Sequence, residues 1–317
     1  MIKKFLFKKN QHQLKQSYLK RKVISQGQPN VLIIEPTNYC NLSCRMCPRR
    51  LMTRPEGFMT LDLFKKIIDQ APLAEWVWLH FFGEPLFNQE IFAMIDYAKS
   101  KKIKLGLSTN ATILDQEKFD KILQAEVEIF IINTYQSYQQ TKDVALKETE
   151  ALIQLLKVRR KNQTKIIIQG LDDGGQYFLD IKKQFKGFYQ VFPFLKNFHS
   201  WANQVDEIND LKKIDKTKIN QAAVCFEPWR QLVITWNGTV LLCCNDYNAK
   251  MVLGNINFQT LAEIWNGQSI QAIRNSFIKG NYQNDLCRFC QPPDFLAGKN
   301  NPFKPYQYEL KAYGLLP

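Results

Sequence analysis

The sequence predicts an α/β protein, a partial TIM-like (β/α)6 barrel followed by a small C-terminal α+β module. Three observations predict it. From residue 31, short apolar runs alternate with amphipathic helical stretches. Around residue 200 that alternation gives way to short strands and tight turns. The eight cysteines fall in two clumps, one in each region, with none between Cys47 and Cys225. Repeated strand-then-helix units imply parallel strands joined by right-handed crossovers.

The first strand is Val31-Leu32-Ile33-Ile34, a continuous apolar run of the kind buried on both faces. Thr60 reads as a helix N-cap, with Met59 and Phe64 spaced as a hydrophobic staple. Trp76 to Phe82 reads as the second strand, and Asn88 as the cap of a helix through Ile91, Phe92, Ile95 and Ala98. Ile103 to Leu107 is the third strand, with a helix from Asp115, and Val127 to Ile132 is the fourth. A helix through Leu152, Leu155 and Leu156 leads to Ile166-Ile167-Ile168, and Phe188 to Phe194 makes the sixth strand. Six units are too few for a closed eightfold barrel and suit a partial one. Ligands in such folds sit at the carboxyl ends of the strands. In the second module, Trp236-Asn237-Gly238 between two apolar runs signals a hairpin. The expected organisation is a basic arm (1–29), the barrel (30–202), a linker (203–221), the small module (222–296) and a tail (297–317).

Length and composition suit a folded domain pair, since 45% of the 317 residues are hydrophobic. No apolar run approaches the roughly 20 residues that cross a bilayer, and no signal-peptide core is present, so a cytoplasmic protein is expected. The net charge of +14 comes partly from residues 1–34, which hold no Asp or Glu and eight Lys or Arg. A solvated arm is the first reading. Peripheral contact with an anionic membrane and nucleic-acid binding are the rivals, although no nucleic-acid motif is present.

The cysteines carry the chemistry. Cys40-x3-Cys44-x2-Cys47 lies in the loop after the first strand, and three thiolates on one short loop can hold three corners of an iron–sulfur cubane. A zinc knot completed from elsewhere is the alternative, although no histidine lies between His12 and His80. The second clump, Cys225, Cys243, Cys244, Cys287 and Cys290, also points to metal, and a four-cysteine zinc ribbon is one way to read it. Such a zinc-stabilised protein, with its basic arm on nucleic acid, is the reading from another class.

The three-cysteine loop after the first strand of a partial barrel resembles the hallmark of the radical S-adenosylmethionine (radical SAM) superfamily. Phe82-Gly83-Glu84-Pro85 looks like that family's Gly-Gly-Glu-Pro motif, with Phe82 in place of the first glycine. The resemblance implies a [4Fe–4S] cluster on Cys40, Cys44 and Cys47 whose open iron chelates SAM. It implies that Met46 lies against the adenine, and that Gly83, Glu84 and Pro85 grip the methionine end. Ser108-Thr109-Asn110 is similar to the family's Ser-Thr-Asn-Gly and assigns Ser108 and Asn110 to the same pocket, joined by Asn133 at the end of the fourth strand. That strand departs from the family's Ser-Leu-Asp-Gly ending, which implies a re-cut substrate pocket.

The second clump resembles the SPASM module, or its shortened twitch form, and implies one auxiliary [4Fe–4S] cluster on Cys225, Cys243, Cys287 and Cys290, with Cys244 left over. The implied activity is reductive SAM cleavage followed by oxidation of a small polar metabolite of sugar or aminocyclitol type. A peptide maturase, or an epimerase with Cys244 as hydrogen donor, is the alternative. Lys196 and His199, after the sixth strand, are the candidate catalytic residues, with Trp201, Asp172 and Asp173 also near that rim. An acidic flavodoxin or ferredoxin is the expected electron donor for so basic a chain.

Overall fold

A computed structural model describes residues 2–44, 47–134, 150–157, 163–171, 182–196, 201–202, 204–205, 224–282, 284, 286–288 and 290. Six strands form the barrel sheet: β1 (Val31–Ile34), β2 (Trp76–Leu79), β3 (Lys104–Thr109), β4 (Ile129–Asn133), β5 (Lys165–Leu171) and β6 (Val191–Lys196). Each pairs in parallel with the next. The described helices of this region include α2 (Leu61–Asp69), α3 (Ile91–Ser100), α4 (Gln116–Gln124) and α5 (150–157). β6 starts later than its apolar run because Gln190, at φ +54°, turns the chain immediately before it.

The sheet separates two apolar layers. Leu32, Ile34, Val77 and Leu79 face the helices and pack with Phe64, Ile67, Ile91 and Ile95. Ile33, Trp76, Trp78, Ile131 and Ile167 fill the opposite, inner side. Trp78 is paired in register with Gly106, where a Cβ would meet the indole at 2.2 Å, so glycine makes room for the ring. The N-cap at Thr60 forms as expected, its hydroxyl accepting from the Leu63 amide. Asn88 does not cap α3. Glu90 takes the N-cap position without a capping side-chain bond, its amide donating to the Asn88 side-chain oxygen at 2.9 Å, while the Asn88 Nδ2 donates to the carbonyls of Pro36 and Met59 behind the site.

The second module does not sit apart from the barrel. β7 (Gln231–Ile234) pairs in parallel with β1 and continues into the antiparallel strands β8 (Thr239–Leu241) and β9 (Val252–Asn255), giving one nine-stranded sheet. Two further helices, α6 (Leu261–Trp265) and α7 (Gln268–Ile278), cover this end. A capping box between Thr260 and Glu263 starts α6.

The basic arm also differs from the solvated extension expected of it. Residues Ile2–Leu19 form α1, with Leu14 and Tyr18 buried. The segment that follows is fastened to the second module. The Tyr18 hydroxyl donates to the Val224 carbonyl, the Trp229 and Trp265 indoles donate to the Lys22 and Gly27 carbonyls, and Arg274 donates to the Val23 carbonyl. Among the described residues no helix is long and apolar enough to cross a membrane.

Candidate active site

All the first-cluster cysteines lie on the chain as it leaves β1, at the carboxyl ends of the strands. Cys40, Cys44 and Cys47 line one cavity of about 280 Å³. Burial pushes all three thiols up, and crowding by Cys47 and Cys40 helps take Cys44 to about 12. Thiols that desolvate and crowd one another are poor anions alone and good ligands for a cationic cluster, which displaces their protons.

The turn after β2 forms the opposite wall. Gly83 has φ +126°, and a Cβ there would fall 2.3 Å from the Thr37 carbonyl, so only glycine lets this turn press against the cysteine loop. Glu84 is buried and accepts from the Thr109 hydroxyl at 2.7 Å, the Asn110 amide at 2.6 Å and the Leu86 amide at 3.1 Å. Burial outweighs these donors and raises its carboxyl to about 7. Such a carboxylate favours a neighbouring cation. The Asn110 side chain reaches the Cys40 sulfur at 3.5 Å, tying the β3 end to the cysteine loop.

Across the next strands runs a polar ladder. Gln169 donates to Asn133 at 2.8 Å, and Asn133 donates to the Ser108 hydroxyl at 2.8 Å and the Thr109 carbonyl at 3.1 Å. Asn133 and Gln169 are register partners, which puts both side chains on the cavity side. Gly83, Glu84, Ser108, Asn110 and Asn133 thus converge on one cavity, while Pro85 is buried behind it as the first residue of a short 3-10 turn. Lys196 ends β6. Met46, His199, Asp172 and Asp173 lie outside the described residues.

Sequence reasoning passed over Thr109, His80, Phe81, Gln169 and Asn245, which also line this cavity, as does Trp201. His80 and Phe81 directly follow β2, and Gln169 is the polar break in the β5 run. Their position at strand ends was the available signal.

The second pocket is smaller, about 30 Å³, and its walls include Phe277, Tyr282 and Leu286. Cys225, Cys243, Cys287 and Cys290 all line it, and Cys244 does not. Cys244 lines the large cavity, and it shares a hydrogen bond with Cys243. Asn245 borders both spaces, its backbone amide donating to the Cys243 sulfur at 3.5 Å and its side chain to Cys290 at 3.7 Å. Among the described residues no three His, Cys, Asp or Glu side chains come close enough to hold a single metal ion. Four thiols facing one small space are a donor set that an iron–sulfur cubane takes.

Comparison with known proteins agrees with this geometry. Residues 34–172 match the model of the radical SAM superfamily, and residues 225–291 match that of an iron–sulfur cluster-binding domain, SPASM. The chain belongs to the radical SAM superfamily. Its cofactors are therefore a SAM-binding [4Fe–4S] cluster, an auxiliary iron–sulfur cluster and SAM.

Among the relatives of this radical SAM enzyme is the SAM-dependent 2-deoxy-scyllo-inosamine dehydrogenase of Niallia circulans, 23% identical and covering 82% of this chain and 92% of the relative. Another is the cofactor-modifying protein of tungsten-containing aldehyde ferredoxin oxidoreductase from Pyrococcus furiosus, 25% identical over 83% of this chain and 87% of the relative. The fold is shared with BtrN in complex with AdoMet and 2-DOIA (TM-score 0.59, 20% identity, 86% of this chain and 97% of that one). It is also shared with Streptococcus suis SuiB bound to SAM (TM-score 0.62, 14% identity, 89% and 77%).

Proposed function

We propose that this enzyme oxidises a C–H bearing carbon of a small polar metabolite, of sugar or aminocyclitol type, by radical SAM chemistry. Cys40, Cys44 and Cys47 hold the SAM-binding cluster, and Cys225, Cys243, Cys287 and Cys290 hold the auxiliary one. With both clusters and SAM bound, the chemistry supplied is a 5′-deoxyadenosyl radical for hydrogen abstraction and an acceptor for the electron left behind.

The chain's own groups bind and orient. Glu84 accepts the methionine ammonium, held in place by Thr109 and Asn110. Gly83 lets its own backbone approach, while Ser108 and Asn133 offer hydrogen bonds to the nucleoside. On this reading Met46 packs against the adenine, and Lys196 and His199 meet the substrate from the β6 rim.

The observation that carries the oxidative reading is Asn245. This one residue borders the cavity of the first three cysteines and the pocket of the other four, so the two metal sites share a wall. A substrate in the cavity would lie against the auxiliary site. The dehydrogenase activity named for the Niallia circulans relative supports the same reaction class. An acidic flavodoxin or ferredoxin would suit the +14 chain as donor.

The test is anaerobic reconstitution with a panel of aminocyclitols and sugar alcohols that includes 2-deoxy-scyllo-inosamine. We expect 5′-deoxyadenosine together with a ketone two hydrogens lighter than the substrate. A product of unchanged mass and inverted configuration, or modification of peptides alone, would overturn the reading.

A further inference from the structure

The stretch that leaves the first cysteine loop, residues 51–57, is stitched to the loop that carries Cys243. The Thr53 amide donates to the Asn248 side chain at 2.8 Å, and that side chain donates back to the Leu51 carbonyl at 3.4 Å. The Trp236 indole donates to the Pro55 carbonyl at 3.2 Å and lies so close to Gly57 that a Cβ there would meet its ring at 2.5 Å.

At the centre of this seam is Arg54. Its Nη1 and Nη2 grip Glu35 at 3.0 and 2.8 Å, its Nε donates to the Tyr247 carbonyl at 2.7 Å, and its guanidinium lies 5.9 Å from the Phe81 ring centre. The Glu35 side chain is fully buried and that of Arg54 is only 10% exposed. Glu35 follows β1 and also accepts from the Trp236 amide. A bidentate pair in so dry a place has one geometry, so Arg54 can report the position of the Tyr247 carbonyl to the cysteine loop.

We infer that Arg54 is a positioning residue that couples the two metal sites: filling the four-cysteine pocket, which fixes Cys243 through Asn248, steadies residues 47–57 and so strengthens SAM binding at the first cluster. The inference rests on the ligand assignments proposed above. Coupling between sites is reciprocal, and a double-mutant cycle measures it.

Breaking the pair from one side would strand a buried carboxylate, so the variant of choice is Glu35→Gln with Arg54→Met, which removes both charges and keeps an acceptor for Trp236. Four proteins are compared: wild type, this lock variant, Cys287→Ala/Cys290→Ala, and the combination. The readouts are iron per chain, SAM affinity from the electron paramagnetic resonance signal of the reduced first cluster, and amide exchange over residues 51–57. In wild type, loss of the auxiliary ligands should weaken SAM binding about tenfold and speed exchange by a similar factor. In the lock background the same change should do less than twofold. In metal-free protein the lock variant alone should already exchange faster over 51–57. Equal weakening in both backgrounds, or in neither, overturns the coupling. Unchanged iron in Cys287→Ala/Cys290→Ala overturns the ligand assignment instead. Should the lock variant not accumulate, Arg54→Lys, which keeps the charge but not the three-way grip, carries the same comparison.

Discussion

The two cysteine pockets use the same donor atom and differ in nearly everything around it. The first sets the three thiols of the loop after β1, with Cys244 as a fourth lining thiol, in a cavity of about 280 Å³ with polar wall residues Glu84, Asn110, Asn133 and Gln169. The second sets four thiols in about 30 Å³ among mostly apolar and aromatic side chains, with Glu227 and Asn245 the polar exceptions. One leaves room for a further ligand, whereas the other closes round its contents. On the proposed assignment, free volume and surrounding side chains, more than the sulfurs themselves, would divide catalysis from electron handling.

The largest expected effect breaks the open site. Changing Cys40, Cys44 and Cys47 to alanine should remove about half of roughly eight irons per chain and lower 5′-deoxyadenosine formation at least about a thousandfold. Retention of that activity would mean the cavity is not where SAM is cleaved. The closed site should respond differently. Cys287→Ala/Cys290→Ala should also halve the iron and abolish substrate oxidation, yet at saturating SAM leave cleavage within about tenfold of wild type. If oxidation survives, the auxiliary site has no part in the chemistry.

A smaller effect follows from Glu84. Its carboxyl is raised to about 7 from an ordinary 4.5, chiefly by burial. The folded chain therefore holds a proton that the unfolded chain releases above 4.5, and the stability of the metal-free protein should fall as pH rises from about 4.5 to about 7. SAM binding has the opposite slope, because its ammonium seeks the ionised form. Affinity should drop by up to tenfold per unit below pH 7, and Glu84→Gln should flatten the dependence. A pH-independent wild-type affinity would remove Glu84 from the ammonium site.

Much of this was legible because it is local. β1 to β5 show as apolar runs, since strands covered on both faces need no polar alternation. The three-cysteine loop and Gly83 carry their geometry in a few consecutive residues. What could not be read joins distant parts of the chain. Nothing in Gln231–Ile234 announces that it will pair with Val31–Ile34 and make one sheet of two modules. The grip of Arg54 on Glu35 and Tyr247 is invisible for the same reason. The basic charge of residues 1–22 masked the few side chains, Leu14 and Tyr18 among them, that dock α1. Gln169 was legible only as a lone polar residue in an apolar strand, and its meaning comes from the register that sets it beside Asn133.

The smallest expected effect draws the boundary between the pockets most finely. Cys243 and Cys244 are neighbours in sequence and share a hydrogen bond, yet Cys243 faces the four-cysteine pocket and packs with the helix-side core, while Cys244 faces the large cavity and packs with the inner layer of Ile33 and Trp78. The turn after β8 thus sends adjacent thiols to opposite sides of the sheet, as consecutive residues of an extended chain do. Cys243→Ser should lose the auxiliary iron. Cys244→Ser should keep the full complement and the optical spectrum of wild type, with SAM affinity within about twofold, since only a cavity-lining thiol has changed to a hydroxyl of similar size. If instead the Cys244 variant loses iron and the Cys243 variant keeps it, the two thiols trade roles when the pocket is filled, and the wall at Asn245 separates the sites one residue later than the geometry places it.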